Sequence, residues 1–193
     1  MSTSVRYVFF LFTLMATAPI FSTQHAAANS GDRGSSPSHD FDFLVGSWTV
    51  DHRKLVHRLA HDNRWQSFHG TCVMHTLLGG TANVDDNVLD VPGATYRAAS
   101  LRAYDAATGN WSIWWLDSRN PDHLDAPVIG RFHEGVGTFY AEDTLEGRPI
   151  LVRFIWSDIT SNSAKWQQAF SPDHGKTWET NWIMEFRRVT TQQ

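Results

Sequence analysis

Hydrophobic and polar residues alternate along the chain in short runs, and no stretch shows a convincing helical period. A period of two is typical of strands with one buried face, and the Gly, Asn, Asp and Pro residues between the runs indicate tight turns. The pattern predicts about ten strands, at residues 47–57, 64–76, 80–90, 95–105, 110–118, 127–133, 136–145, 148–157, 163–171 and 176–188. One helical turn is expected within residues 41–46. The chain is therefore predicted to be all-β.

Two Glu-Gly turns, Glu134-Gly135 and Glu146-Gly147, divide the flanking strands into an apolar and a polar face, because side chains alternate along a strand. The apolar face carries Phe132, Phe139, Ala141, Val152, Phe154, Trp156, Trp166, Gln168, Phe170, Trp178, Trp182, Met184 and Phe186. The polar face carries Arg131, Thr138, Tyr140, Glu142 and Arg153. With no helices to cover the apolar face, such a sheet closes on itself or stacks, and up-and-down connections favour a single antiparallel barrel.

An inverted sheet is the alternative arrangement of residues 127–157. Arg131 and Arg153 would then face the interior and could clamp a carboxylate or a phosphate. The inversion would expose Phe139, Phe154 and Trp156 to water, so the arrangement with the apolar side chains inside is preferred.

The N-terminal segment has the features of a secretory signal. Arg6 precedes an apolar run from Val8 to Ala18, and Ala26-Ala27-Ala28 forms an A-x-A site with cleavage expected after Ala28. The predicted organisation is a signal peptide at 1–28, a flexible tether at 29–40, the barrel at 41–188 and a tail at 189–193. The mature protein is expected to be secreted or periplasmic and to have no membrane span.

Composition narrows the function classes further. The net charge of −4 argues against nucleic acid as a partner, because a nucleic-acid binder needs a clustered positive face. The lone cysteine, Cys72, excludes an internal disulfide and a Cys-rich metal site. The chain contains nine Trp and ten His residues, a high number of each, and the Trp residues suggest an aromatic-lined interior. The sequence does not predict the oligomeric state.

The segment Phe41 to Trp48 (FDFLVGSW) resembles the opening of a lipocalin-like, or calycin, barrel. Such barrels begin with a helical turn and a Gly-x-Trp, here Gly46-Ser47-Trp48. The resemblance implies that a basic residue of the last strand lies over this Trp, and Arg188 has the required parity. A cation over an indole ring is a favourable contact.

Most of residues 41–188 also resembles the uncharacterised DUF1579-like bacterial proteins, which are lipocalin-like. The similar stretches are FDFLVGSW, YDAATGNWSIWWLDSR, PVIGRF, GRPILVRFIWS and WQQAFSPDHGKTWETNWIMEFRR. The resemblance implies the fold and no established activity.

A short motif near the C-terminus, Ser171-x-Asp173-x-Gly175-x-x-Trp178, is similar to the Asp-box of sialidase propellers. In that motif Asp caps turn amides, Gly takes the left-handed conformation and Trp packs beneath. A single copy is interpreted as a structural hairpin, with no glycosidase activity implied.

Two histidines form the clearest candidate for metal or acid–base chemistry. A first hairpin that turns near Ala60-His61 would pair Trp48 with Val73 and His52 with His69 on the inner face. Such a pair could contribute to a metal site, but no third ligand is identifiable. Haem ligation by one His is an alternative known among calycins, and no residue matches a specific haem motif. No cofactor is therefore predicted.

The Trp excess favours a small-molecule pocket, since an aromatic-lined barrel with few polar groups is the usual form of one. The expected ligand-binding residues are His52, His69, Trp115, Phe154, Trp156, Trp166, Gln168 and Trp182. The leading hypothesis is an exported barrel that binds a small apolar or aromatic molecule. One alternative is a small-metabolite enzyme (an isomerase, cyclase or hydrolase) with an interior His as general base. Another is a structural or partner-binding envelope protein with a filled barrel.

Overall fold

The computed structural model describes residues 36–190, so the predicted signal peptide and the end of the tail lie outside the described residues. Residues 36–40 were predicted to belong to the tether, but Pro37–His39 form a 3-10 turn. Trp111 Nε1 donates a hydrogen bond to the Pro37 carbonyl at 3.0 Å. The ordered domain therefore begins before residue 41, because the barrel holds this turn. No helix in the described part is long and apolar enough to cross a membrane.

Ten antiparallel strands form a closed up-and-down barrel, as predicted. The strands are β1 (Gly46–Leu55), β2 (Trp65–Leu77), β3 (Ala82–Val91), β4 (Ala94–Asp105), β5 (Asn110–Asp117), β6 (Val128–His133), β7 (Val136–Leu145), β8 (Arg148–Ser157), β9 (Ser163–Ser171) and β10 (Glu179–Arg188). Each strand pairs with its neighbours in sequence, and β1 pairs with β10 to close the barrel. Closure gives every strand a neighbouring strand on both sides.

The Glu-Gly turns set the faces of β6, β7 and β8 as the sequence predicts. Glu134-Gly135 and Glu146-Gly147 all have positive φ, between 50° and 78°, which is the conformation of a two-residue hairpin turn. Phe139 and Trp156 are buried in the barrel, whereas Arg131 is exposed on the outer surface. The inverted arrangement, with Arg131 and Arg153 as an interior clamp, is therefore wrong.

The register of the first hairpin differs from the prediction by one residue. Trp48 lies opposite Cys72 and His52 opposite Phe68, while His69 lies opposite Asp51. The connection is a loop at residues 56–64, tied to β10 by a 2.7 Å hydrogen bond from the Leu59 amide to the Glu179 side chain. Because this loop is held by a distant strand, local turn chemistry did not reveal its register. A shift of one residue moves every side chain of the strand to the other face.

Strand β10 begins three residues later than predicted, and Trp178 precedes it. A register shift between Thr180 and Trp182 breaks the alternation at that point. Trp178 consequently packs on the outer surface, where the Arg153 guanidinium lies 4.3 Å from its ring centre. The predicted place of Trp178 on the inner face is wrong for this reason.

The N-terminal segment plugs one end of the barrel. The 3-10 turn Asp42–Leu44 directs Phe41 inward, where its ring lies 5.0 Å from the rings of Trp111 and Phe132 in edge-on contacts. Phe41 and Leu44 are both almost fully buried. This aromatic cluster fills the end of the barrel at which β1 begins, so any interior space must lie towards the other end.

Candidate functional site

The barrel encloses a cavity of about 450 Å³ between the aromatic plug and the opposite end. We call it the interior cavity. Eight of its lining residues are aromatic: Tyr96, Trp115, Phe154, Trp156, Trp166, Phe170, Trp182 and Phe186. The rings of Trp166 and Trp182 meet edge to face at 5.5 Å, and Trp115 meets Trp182 in the same way at 6.0 Å. These contacts hold the wall in a defined shape.

A buried polar network forms the floor of the interior cavity. Arg102 Nη2 donates to Asp85 Oδ2 at 2.6 Å, and both side chains are less than 5% exposed. The other Asp85 oxygen accepts from the Asn87 amide at 2.6 Å and from the Ser100 backbone N–H at 2.8 Å. Arg102 also donates to Asn83 at 3.1 Å. A buried ion pair is tolerated when the remaining polar atoms of both groups also form hydrogen bonds. Here both oxygens of the Asp85 carboxylate accept hydrogen bonds.

Two buried donors beside this network have no acceptor among the described residues. They are Arg102 Nε and Trp156 Nε1. Both residues line the cavity, and the Arg102 guanidinium carbon lies 5.8 Å from the centre of the Trp156 ring. Neither nitrogen is itself exposed to the cavity, and an unpaired buried donor is costly.

Charged side chains surround the other end of the cavity, which we call the mouth. Lys54, Asp117 and Asp143 come from the ends of β1, β5 and β7 at this end of the barrel, and Arg119 follows β5 in the loop 118–127. Arg119 holds Asp117 through hydrogen bonds of 2.9 and 2.5 Å, which lower the pKa of that carboxyl. The Arg119 guanidinium also lies 3.6 Å from the centre of the Tyr96 ring. The pKa of Tyr96 is raised, chiefly by burial.

The barrel wall is least continuous at the mouth between β5 and β6. These strands pair only from Trp111 to Ile113 with Val128 to Gly130, and above that point the loop 118–127 takes the place of a strand. The loop is attached through hydrogen bonds such as Asp125 N to Trp115 O at 3.1 Å. Its residues Asn120 and Asp125 line the cavity.

His52 and His69 lie on opposite faces of the sheet. His52 is 2% exposed and stands behind Trp182, whose Nε1 donates to His52 Nδ1 at 3.2 Å. Burial lowers the pKa of His52 to about 4, with a further contribution from Lys54. The His69 side chain is 86% exposed on the outer surface, where it bonds Asp51 at 2.7 Å. The predicted pairing of the two histidines is therefore wrong. Neither of them faces the cavity, so neither can act there as the general base of the enzyme alternative.

Six of the predicted ligand-binding residues do come together around the interior cavity. They are Trp115, Phe154, Trp156, Trp166, Gln168 and Trp182. Gln168 is held by a 2.8 Å hydrogen bond to Asn181, a fully buried residue at the register shift of β10. No group of three or more His, Cys, Asp or Glu side chains within residues 36–190 is arranged to hold a metal ion.

The sequence reasoning missed the polar floor and Lys54. A signal for the floor exists: Asn83, Asp85 and Asn87 recur every second residue in β3 and therefore share one face. Their buried position could not be inferred from β3 alone, because the partner charge is on β4. Lys54 has the same parity as Trp48 and His52, which places it on the inner face of β1.

The predicted structural residues lie outside the cavity. The Arg188 guanidinium lies 4.1 Å from the centre of the Trp48 ring and donates to the carbonyls of Phe43, Val45 and Ser161 at 2.5 to 2.6 Å. Gly46, with φ of 109°, begins β1 beside this guanidinium. The cation thus joins the N-terminal turn to the last strand.

The hairpin between β9 and β10 is capped by Asp173. Its carboxylate accepts from the Thr177 amide at 2.8 Å and the Thr177 hydroxyl at 2.6 Å. Gly175 has φ of 86°, and Trp178 Nε1 donates to the Gly175 carbonyl at 3.1 Å. These bonds are the arrangement that the motif implied, and none of the residues lines the cavity.

Comparison with known proteins shows similarity at the level of the fold. No family model matches the chain, and no curated protein matches it. The solved S-type phycobiliprotein lyase of Guillardia theta is similar over 82% of this chain and 96% of that one, with a TM-score of 0.57 and 12% identity. EF1p2_mFAP2b bound to DFHBI has a TM-score of 0.44 and 9% identity, over 80% of this chain and all of that one.

A third solved structure is a DUF3598-family protein of unknown function from Nostoc punctiforme. It has a TM-score of 0.47 and 13% identity, over 77% of this chain and 49% of that one. The likeness to the lyase is one of fold, and the fold of this chain is a closed antiparallel barrel of ten strands.

Proposed function

We propose that the protein is an exported, DUF1579-like member of the calycin-like barrels that binds a small, largely aromatic or apolar molecule in its interior cavity. The observation that carries the proposal is the cavity of about 450 Å³ with aromatic walls and a polar floor. Small-molecule pockets span roughly 300 to 1,000 Å³ and combine apolar walls with a few placed polar groups. The fold alone does not select a ligand, so the proposal rests on this cavity.

The chemistry of the cavity defines the expected ligand. The Trp and Phe walls favour a flat, conjugated or aromatic body, which can stack or meet the rings edge-on. The polar floor, with Arg102, Asp85 and Asn87, favours a polar group at the inner end of the ligand. The proposed location, secreted or periplasmic, is supported by the signal-like sequence before Ala28.

The rival functions have less support. An interior His base would require a histidine on the cavity, whereas His52 is shielded by Trp182 and His69 is outside. A purely structural barrel would gain stability from a filled interior, since cavities destabilise a core. A ligand-binding function explains why the barrel retains a cavity beside the buried ion pair of Asp85 with Arg102.

Filling the cavity tests the proposal. Ala141 lines the cavity on β7, and Ala141→Phe places a ring in it. We expect this variant to bind 2-naphthalenemethanol at least about tenfold more weakly than the wild type, equivalent to about 1.4 kcal/mol. Titration calorimetry and quenching of Trp fluorescence measure the affinity.

The matched control is Ala94→Phe, which adds the same ring at an exposed position of β4. It should bind the probe like the wild type, and urea unfolding should show that both variants are folded. Native mass spectrometry of the protein purified from its source should also show added mass that denaturation releases. Equal binding by all three proteins, or neither probe binding nor added mass in the wild type, would contradict the proposal.

A further inference from the structure

Lys54 is the only lysine on the interior cavity among the described residues. It extends from the inner face of β1 at the mouth, and its Nζ lies 3.8 Å from the centre of the Trp182 ring. Within residues 36–190, no carboxylate comes within 4 Å of this nitrogen, whereas Lys165 has Asp158 at 4.0 Å. Lys54 is thus an amine held against an aromatic wall without a counter-ion in contact.

Burial and the neighbouring guanidinium groups favour the neutral form of Lys54, whereas the face of the Trp182 ring favours the ammonium. Arg58 and Arg119 repel an ammonium, and the neutral ring of His52 lies two residues before it on the same face. Asp117 is the acidic group that favours the ammonium, but Arg119 already engages its two carboxylate oxygens. Burial, followed by these guanidinium groups, lowers the pKa of Lys54 from 10.5 to about 8. About a tenth of such an amine is neutral at pH 7, a fraction about two orders of magnitude greater than for an ordinary lysine.

A lysine that is partly neutral at pH 7 and lies on an aromatic wall is suited to forming a bond with a carbonyl carbon. Deprotonated, desolvated lysines are the ones that add to carbonyl carbons in proteins. The same wall that holds the nitrogen, Trp182 with Trp166 beside it, would hold a conjugated ligand body next to the amine. Lys54 is therefore placed to meet a reactive group at the outer end of a ligand whose body lies in the cavity.

We propose, building on the proposed function, that the ligand carries an aldehyde or ketone group and that Lys54 holds it as a reversible imine. The Nζ lone pair attacks the carbonyl carbon, and a C–N bond forms while the C=O π bond opens. A proton passes from nitrogen to oxygen to give the carbinolamine, and loss of that hydroxyl with the remaining N–H proton releases one water and leaves C=N. Water returns by the reverse path and frees both the amine and the carbonyl compound, so no oxidant or reductant is needed.

Reductive trapping tests this assignment, because the chain has only three lysines, Lys54, Lys165 and Lys176. The full chain is treated at pH 7 with 2-naphthaldehyde and sodium cyanoborohydride, and adducts are located by intact mass and peptide mapping. We expect Lys54 to be modified about two orders of magnitude faster than the other two lysines, with a rate that rises up to about pH 8 and then levels off. The α-amino group, which is reactive in any protein, is distinguished by its own peptide.

Two variants and two matched ligands complete the design. Lys54→Met should lose the fast adduct, whereas Lys165→Met should keep it. 2-Naphthalenemethanol has the same body without a carbonyl, and it should bind Lys165→Met like the wild type. Its binding to Lys54→Met reports whether the cavity of that variant still accepts the naphthalene body. 2-Naphthoic acid tests whether Lys54 is instead a simple anion site.

The outcomes separate this assignment from the proposed function. If the alcohol binds in the cavity but Lys54 reacts no faster than Lys165, the imine is overturned and the binding function stands. If the acid binds far more tightly than the alcohol, only when Lys54 is present and with no fast adduct, Lys54 is an anion site and the imine is again overturned. If neither the alcohol nor the aldehyde binds and the protein purified from its source carries no added mass, the binding function itself fails.

Discussion

His52 shows how a single residue can shape a site without facing it. Its ring lies parallel to Phe68, 4.6 Å away, and its Nδ1 accepts the Trp182 indole proton, so the ring proton lies on Nε2. Gly70 provides the room: a Cβ there would lie 2.8 Å from His52 Nε2. The buried ring thus fixes the orientation of Trp182, and through it the wall against which Lys54 packs.

The buried, neutral His52 makes stability depend on pH. Its pKa is about 4 in the folded protein against 6.5 when unfolded, so the unfolded chain binds the proton more tightly and stability falls as pH drops from 6.5 to 4. Between pH 7 and pH 4.5, the wild type should lose about 2 to 3 kcal/mol more unfolding free energy than His52→Gln, whose amide oxygen can still accept from Trp182. Urea unfolding at the two pH values measures the difference.

The control for this prediction is His75→Gln, the same change at an exposed histidine of the neighbouring strand that has no carboxylate within 4 Å among the described residues. Its pH dependence should run parallel to that of the wild type. A His52→Gln variant that loses as much stability as the wild type between these pH values would show that His52 does not titrate in this way.

Individual strands and turns contribute unequally to the barrel. Most neighbouring strands are joined by short hairpins and pair along most of their length, whereas β5 and β6 share only the segment from Trp111 to Ile113. The loop 118–127 covers the gap and supplies Arg119 to the mouth. The hairpin after β9, in contrast, is tightly bonded through Asp173 and has no residue on the cavity other than those of its strands.

The Asp173 hairpin should therefore affect stability and leave binding unchanged. Hydrogen bonds from Thr177 lower the pKa of Asp173 to about 2, so its stabilising contribution is present above the unfolded pKa of 3.8 and is lost as pH falls towards 2. Asp173→Ala should lower the urea midpoint at pH 7, and the gap to the wild type should narrow below pH 4. The affinity for 2-naphthalenemethanol should not change.

Asp122→Ala removes an exposed acid from the loop 118–127 and serves as the control for stability. It should leave the urea midpoint at pH 7 unaltered. An Asp173→Ala midpoint equal to that of Asp122→Ala would mean that the hairpin bonds do not stabilise the fold.

For the whole molecule, closure depends on the meeting of the first and last strands. Trp48 of β1 lies opposite Arg188 of β10. The Arg188 guanidinium lies over the Trp48 ring and donates hydrogen bonds to three backbone carbonyls. Those carbonyls belong to the N-terminal turn and to the loop before β9. One side chain thus connects the plug, the closing seam and a third segment at the end of the barrel opposite the mouth.

The planar guanidinium of Arg188 donates to three carbonyls at once, and the single ammonium group of a lysine cannot reproduce this geometry. Arg188→Lys should lower the free energy of unfolding by about 2 kcal/mol, because at least one carbonyl loses a charged donor. Arg187→Lys is the matched control, since Arg187 faces the outer surface and its side chain pairs, among residues 36–190, only with the half-buried Asp51. Chemical denaturation compares the two variants, and an equal effect of both substitutions would show that the contacts of Arg188 are not special.

Local features of the sequence were sufficient to predict the all-β class, the approximate strand limits and the faces of β6 to β8. Two-residue turns such as Glu134-Gly135 fix the pairing of the strands beside them, and alternation then fixes which side chains lie together. Trp156 and Trp166 could be placed on the inner face for this reason. The Gly-x-Trp opening indicated the calycin-like fold before any pairing was known.

Other features depend on contacts between segments that are distant in sequence. The register of β1 against β2 is set beside a loop bonded to β10, so the sequence could not show that His52 and His69 lie on opposite faces. The ion pair of Asp85 with Arg102 requires β3 and β4 to be aligned and the plug to cover them. The groups beside Lys54 include Trp182 and Arg119, which lie far from it in sequence and reach it only in the closed barrel. The burial and the charged surroundings of a side chain are set by the assembled barrel, so the sequence alone did not reveal this lysine.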